Sequence, residues 1–431
     1  MSSNLGPLGR KDTVVIIGGG PAGTSCGIML RRLAYRKRVP LRVILFEPKD
    51  FTVEQNICTG VLSPPFQRLL RELELDLPEG IVQRHISGYM LHSSNETIFL
   101  EDTSENTEPT LVVDRGNLDN FLLESARAAG VIVMDDVVVD VRPSTDKVLV
   151  ISSGGARALA DVVVGAFGLN SYALNLFEIH VPGYHRPRMT KSILTDIPLS
   201  PAVIDARFDN AIHALLLDSL PRIEFGALTP KRDHVTVNIV GDNIVDEDLD
   251  AFLELPWTKK LIPETTAKYP RFVNAFPSSP AKRLYRDRFV TIGNTSGLLR
   301  PLKGKGINTG IITGIEAAKT MMEVGISQRA FDDFYRRCHA LAEEYHYGVI
   351  LRKLYHLSLS LKTLDAVLSL ARSEPLLYQA FYDMISGEGS YQQIIKRSAR
   401  PGLAAKIVLA VIRHWLRWRS DTMEVGRRPS P

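Results

Sequence analysis

Three glycines and one carboxylate carry the chemistry that is most legible in this chain. Gly18, Gly20 and Gly23 fall in the spacing G-x-G-x-x-G, with Gly19, Pro21 and Ala22 completing the run. The first glycine permits a tight turn. The second lets a pyrophosphate approach the backbone, and the third allows close helix–strand packing. Pro21 has no N–H to lose, which is harmless in a first helical turn. Glu47 follows at the distance, roughly 20 residues, where an acid accepts hydrogen bonds from ribose hydroxyls.

The elements that must position these residues are equally legible. Thr13 to Ile17 is a run of β-formers, almost wholly apolar, suited to a strand buried on both faces of a parallel sheet. Ala22 to Arg36 continues as a helix whose N-terminal N–H groups and dipole face a phosphate. Leu41 to Phe46 is a second apolar strand, with Glu47 at its C-terminal end. A lone glycine triplet also fits an ordinary βα turn. Strand, glycines, helix, strand and acid in this order point to a dinucleotide.

Composition narrows the class. A chain of 431 residues is expected to hold more than one domain. Its net charge of +4 is too small to argue for nucleic acid. Cys26, Cys58 and Cys338 are scattered and odd in number, so neither a metal cluster nor a disulfide framework is expected, and the compartment is expected to be reducing. Met1 to Asp12 lacks a signal-peptide core, and no apolar run is long enough to span a bilayer. The expected location is therefore cytoplasmic.

Further along, Pro48 to Leu62 reads as a loop containing Asn56-Ile57-Cys58-Thr59-Gly60, and Ser63-Pro64-Pro65 opens a helix running to about Leu75. Strands are expected over Ile81–Leu91, Thr97–Glu101 and Leu111–Asp114, then an amphipathic helix over Asn117–Ala129. Val131–Val141 and Lys147–Ile151 read as a hairpin, and Asp161–Ala166 as a buried strand. From Phe177 to Lys282 short strand candidates dominate, among them Ala202–Phe208, His213–Leu217, Ile223–Leu228 and His234–Val240. Phe289–Gly293 is again a buried strand, Asn294–Gly306 a loop and Ile307–Val324 a helix. From Ala330 the chain is mostly helical, with one long helix expected over Ala330–Tyr355.

Three separated stretches together resemble one family. They are Val14–Gly23 with Glu47, then Val113-Asp114-Arg115 with its helix, then Val290–Asn294 with Pro301 and Gly304-Lys305-Gly306-Ile307. The pattern is similar to the flavoprotein superfamily of p-hydroxybenzoate hydroxylase, and within it to the geranylgeranyl reductase group. The loop around Cys58 is similar to that group's Cys-Gly-Gly loop. Gly226–Val240, with Pro230-Lys231, resembles its Phe-Pro-Lys strand pair.

The resemblance implies an α/β fold: a discontinuous Rossmann-like FAD-binding domain (1–75, 110–176, 284–329), an inserted β-rich substrate domain (76–109, 177–283) and a helical C-terminal region (330–431). It implies FAD held by Gly18 to Gly23, Glu47, Arg115, Gly293, Asn294 and Gly304 to Ile307. The Lys305 side chain is expected to face solvent. Cys58 is implied to lie near the flavin ring as a proton donor, with a packing residue as the alternative. Two positions depart from the family: asparagine stands for aspartate at Asn294, and Phe167 replaces the acid of an Asp-Gly motif. Phe167 can neither accept a hydrogen bond nor carry charge, which puts the NAD(P)H route in question.

The function expected is reduction of carbon–carbon double bonds in an isoprenoid or related lipid, with electrons from NAD(P)H or a small redox protein. An NAD(P)H-dependent monooxygenase and an FAD-binding protein with reduced or no turnover are the alternatives. The tail bears on location. Lys396 to Pro431 carries nine Lys or Arg against Asp421 and Glu424, a net +7 that exceeds the whole chain's +4. Its segment 402–419 is apolar, tryptophan-bearing and basic, as in a helix lying on the cytoplasmic face of a membrane. A helix packed on the protein with a solvated tail is the alternative.

Overall fold

The computed structural model describes residues 5–54, 58–101, 108–216, 218–263, 269–300, 305–387 and 389–425, with side chains as far as 416. The chain divides into two compact units. One comprises Met1–Arg84, Thr110–Ser192 and Val273–His346; the other His85–Pro109, Ile193–Phe272 and Tyr347–Pro431.

The first unit is built on a six-stranded sheet. Its order is Tyr285–Arg286, Phe289–Thr291, Val162–Gly165, Thr13–Ile17, Arg42–Phe46 and Ile132–Met134. All neighbours pair in parallel except the first two. The inner strands are buried along nearly their whole length, which is why they read as continuous apolar runs. Helix Pro21–Arg36 packs on helix Gly306–Glu323 unusually closely. A Cβ on Gly314 would stand 2.5 Å from the carbonyl oxygen of Ala22, and one on Gly310 3.3 Å from its nitrogen. Helix Arg115–Ala128 also packs on Pro21–Arg36. Two three-stranded sheets complete the unit: Arg157–Ala160, Val148–Ser152 and Val138–Pro143, and Val61–Leu62, Thr110–Val113 and Val82–Ile86.

The second unit contains a sheet in which His234–Gly241, Phe225–Pro230, Ala211–Leu215, Gly88–His92 and Thr97–Glu101 are successive neighbours. Only Ala211–Leu215 and Gly88–His92 run parallel among these. Helices Pro201–Phe208, Asp246–Leu253 and Pro256–Leu261 contribute Ile204, Phe208, Leu249, Phe252 and Leu261 to its core. Helices Leu364–Ala371, Pro375–Ser386, Tyr391–Ser398 and Pro401–Val425 belong to the same unit.

Three local expectations change. Ala202–Phe208 is not a strand: Ser200 and Pro201 start a helix over Pro201–Phe208. Proline at a first helical position outweighs the strand preference of Val203 and Ile204. Val131–Val141 is not one strand, because the chain turns at Asp135 and Asp136. Ile132–Met134 joins the central sheet and Val138–Pro143 alone pairs with Val148–Ser152. The long helix breaks at Cys338 into Gln328–Arg337 and His339–Ser360.

Candidate functional site

In a parallel sheet the loops at the carboxyl ends of the strands gather at one edge. Gly18 follows Ile17, Glu47 follows Phe46, Phe167 follows Gly165 by two residues, and Gly293 follows Thr291 by two. All lie in the first unit, as do Cys58, Arg115 and Lys305 to Ile307.

Gly18 and Gly23 of the fingerprint each have a separate steric reason. Gly18 has φ +107°, and a Cβ there would stand 2.5 Å from the carbonyl oxygen of Ala166. A Cβ on Gly23 would stand 1.9 Å from the carbonyl oxygen of Gly18. Gly20 differs: a Cβ would meet nothing within 4 Å. Gly20 is the N-cap of helix Pro21–Arg36, and no side chain caps it. The first-turn amides of such a helix have no intrahelical partner, and they point to the space beside Gly20.

Glu47 is buried, and its Oε2 accepts the amide of Gly19 at 2.7 Å while Oε1 accepts that of Lys49 at 3.1 Å. Burial raises the carboxyl pKa above its ordinary value. The two amides work the other way, as does the charge of Lys49, and the charge of Asp119 adds to the rise.

Gly293, Asn294 and Thr295 form a 3-10 turn at the end of strand Phe289–Thr291. The Gly293 amide donates to the Thr313 hydroxyl at 2.9 Å, and Gly293 has φ +59°. Oδ1 of Asn294 is buried and has no hydrogen-bond partner among the described residues. It faces the start of helix Gly306–Glu323, where a Cβ on Gly306 would stand 3.0 Å away. A buried acceptor without a donor is costly, about 1–3 kcal/mol, so this atom is suited to a hydroxyl donor on a bound molecule.

The start of that helix is tied to the segment after the Cys58 loop. Lys305 Nζ donates to the carbonyl of Pro64 at 2.9 Å, and Asn308 Nδ2 to that of Ser63 at 2.8 Å. The Lys305 side chain is therefore partly buried and committed, rather than facing solvent. Gly304, Pro301, Asn56 and Ile57 lie outside the described residues.

Arg115 begins helix Arg115–Ala128, whose N-cap Asp114 accepts the Asn117 amide. Its Nε donates to Oδ1 of Asp119 at 2.9 Å, and the guanidinium also hydrogen-bonds the Cys58 thiol. Burial opposes the guanidinium charge, but Asp119 and Cys58 outweigh it and hold its pKa above the ordinary value. The Gly60 amide donates to Cys58 Sγ at 3.5 Å, so two donors converge on that sulfur. Gly60 has φ +74°, and its carbonyl accepts the Val113 amide at 3.0 Å.

Phe167 has an apolar reason to stand where the related motif has an acid. Its ring meets Phe177 edge-on, with centroids 4.7 Å apart. Sequence reasoning missed Asp119 and Asn308. Asp119 was findable, since it stands four residues after Arg115 on a helix. Asn308 was not, because its partner Ser63 is remote in the chain. The same holds for His92 and His213 of the second unit, joined Nε2 to Nδ1 at 2.9 Å. Burial pushes their pKa values down to about 3 and about 4, and the charge on Lys260 and the mutual repulsion of the two rings add to the drop at His92.

No protein-family model matches the chain. Digeranylgeranylglycerophospholipid reductase 1 of Methanosphaera stadtmanae is 21% identical over 350 residues, which cover 77% of this chain and 81% of that protein. A geranylgeranyl bacteriochlorophyll reductase-like protein of Thermoplasma acidophilum superposes with a TM-score of 0.70 at 17% identity, over 90% of this chain and 98% of that one. A flavoprotein/dehydrogenase of Cytophaga hutchinsonii gives 0.66 at 17% identity, over 94% and 99%. The fold is that of these two solved structures; the chain resembles the geranylgeranyl bacteriochlorophyll reductase-like protein in structure and the digeranylgeranylglycerophospholipid reductase in sequence.

Proposed function

We propose that this chain is an FAD-dependent oxidoreductase that reduces carbon–carbon double bonds of an isoprenoid or related lipid. The observation that carries the cofactor half is the buried Oδ1 of Asn294, without a partner among the described residues and set at the same sheet edge as the uncapped helix start at Gly20. The substrate half is supported by the resemblance to a digeranylgeranylglycerophospholipid reductase.

In this reading Gly18 to Gly23 receive the pyrophosphate, with Gly19 and Glu47 beside the ribose. Asn294 would accept from the ribityl chain, and the amides of Lys305 to Ile307 at the helix start would favour the negative charge a flavin gains on reduction; Gly304, assigned with them, lies outside the described residues. When bound and reduced, FAD supplies a hydride to one alkene carbon. Cys58 holds the proton destined for the other carbon, and Arg115, braced by Asp119, holds the Cys58 sulfur in place and reaches toward the phosphate and ribityl region. Lys305 and Asn308 fix the Ser63-Pro64 segment and so keep the Cys58 loop against the helix start. The β-rich part, 76–109 and 177–283, is the substrate domain inserted into the FAD-binding domain. Segment 402–419 rests on a membrane surface, where a lipid substrate resides; no helix among the described residues is long and apolar enough to cross one.

The test is an anaerobic half-reaction. Purified protein is reduced with NADPH, NADH or dithionite, and a geranylgeranyl lipid is then added. Reoxidation of the flavin by the lipid without oxygen is the expected result. Reoxidation only on admitting oxygen, with a hydroxylated product, would make the protein a monooxygenase. Retained flavin that no donor reduces would make it a binding protein.

A further inference from the structure

The C-terminal part of the second unit presents a second apolar row, separate from the 402–419 helix. On helix His339–Ser360, Ile350, Leu354 and Leu357 are about half exposed (46%, 55% and 52%), and Leu361 just beyond its end is 49% exposed. The Leu361 amide still bonds to the Leu357 carbonyl, so the row continues past the last helical residue. At ~100° per residue, positions 350, 354, 357 and 361 fall within roughly 60° of one another around the axis. Helix Pro401–Val425 shows the same feature: Val408, Leu409, Ile412, Trp415 and Leu416 are exposed and fall within roughly 120°. A contiguous exposed apolar patch on a protein this size marks a contact surface.

Charge decides what the contact is. From Tyr345 to Leu364 there is no Asp or Glu, while Arg352, Lys353 and Lys362 are present. Arg352 is tied to Glu224, which leaves Lys353 and Lys362, both exposed, beside the row. From Gly389 to Ser420 there is again no acid, against Lys396, Arg397, Arg400, Lys406, Arg413, Arg417 and Arg419, of which Arg397 pairs with Asp383 and Lys406 with Glu374. A second copy needs acids to pair with such bases, and the described acids beside these faces, Glu224, Asp242, Glu374 and Asp383, already pair with Arg352, Lys406 and Arg397. An anionic bilayer supplies both the apolar depth and the negative charge.

We propose that the face from Ile350 to Leu361 is a second membrane-contacting surface, which acts with helix Pro401–Val425 to hold the protein on an anionic bilayer. The proposal deepens the membrane element of the lipid-reductase reading and rests on it for its purpose.

The experiment is vesicle co-flotation of the full-length flavoprotein. The probes are vesicles of phosphatidylcholine alone and of phosphatidylcholine with phosphatidylglycerol. The chain should float with the second and not the first, and added salt should weaken the binding. Leu354→Glu/Leu357→Glu should lower the bound fraction roughly tenfold although the basic tail is intact. Retained flavin and an unchanged melting temperature report its fold; Leu354→Gln/Leu357→Gln serves if the charged pair fails to fold. Binding equal to wild type in the folded variant would overturn the proposal. So would light scattering that shows a wild-type dimer turned monomeric by the variant. Turnover of a detergent-dispersed isoprenoid separates the two readings. The variant should keep it while losing the vesicles. A wild type that binds vesicles but reduces no isoprenoid would sink the reductase reading and leave the surface standing.

Discussion

The Glu47 carboxylate and the Gly19 amide meet at 2.7 Å, both buried at the carboxyl edge of the central sheet. Burial holds the Glu47 pKa above its ordinary 4.5. A folded-state pKa above the unfolded one gives a contribution that is fully present below the unfolded value and is lost as pH rises through the folded one. Glu47→Gln removes that titration. The melting temperature of the flavin-free variant, minus that of wild type, should therefore increase from pH 4 to pH 8. A difference that stays flat would show that Glu47 is not perturbed. Under the proposed ribose role, the same variant should bind FAD more weakly by about 1–3 kcal/mol, measured by flavin fluorescence titration.

Gly20 and Gly23 separate cofactor loss from fold loss. Gly20→Val finds no neighbour within 4 Å at a φ of −70°, which any residue tolerates. Its flavin-free stability should change by no more than about 0.5 kcal/mol, while flavin retention disappears. Gly23→Val drives a Cβ into the Gly18 carbonyl and should cost more than about 4 kcal/mol, seen as loss of soluble folded protein. Unchanged flavin content in Gly20→Val would remove the pyrophosphate assignment.

Asn294 tests the unpartnered acceptor. Asn294→Asp keeps an oxygen at that place and should retain FAD. Asn294→Leu abolishes the acceptor and should weaken FAD by about 1–3 kcal/mol without destabilising the flavin-free protein, since no described partner is lost. Equal affinity in both variants would mean that the ribityl chain does not use this atom.

Cys58→Ala addresses the proton. The variant should retain FAD and its reduction by the donor, while the alkene half-reaction slows by roughly a hundredfold, the lower range for a positioned general acid. Stopped-flow reoxidation under anaerobic conditions reads this directly. An unaltered rate would leave Cys58 as a packing residue of the loop that Gly60 and Arg115 hold.

The sequence by itself determined the glycine-rich strand–turn–helix around which the first unit is built. The glycine spacing, the apolar strands on either side and Glu47 are local features; Gly18 is required by a contact with its sheet neighbour and Gly23 by one within the same strand–turn–helix unit. The expectation of a flavoprotein similar to the geranylgeranyl reductases likewise rested on short motifs, and the comparisons agree with it. Tertiary structure alone decided what lies around those motifs. Lys305 reaches Pro64, Asn308 reaches Ser63 and Arg115 reaches Cys58 only because remote segments meet at one sheet edge. The helix at Pro201–Phe208 overrode a strand-like composition. The exposed row from Ile350 to Leu361 was invisible as well. A helical period of apolar residues reads the same whether the fold covers that face or leaves it to the solvent, and only the packing of the other helices says which.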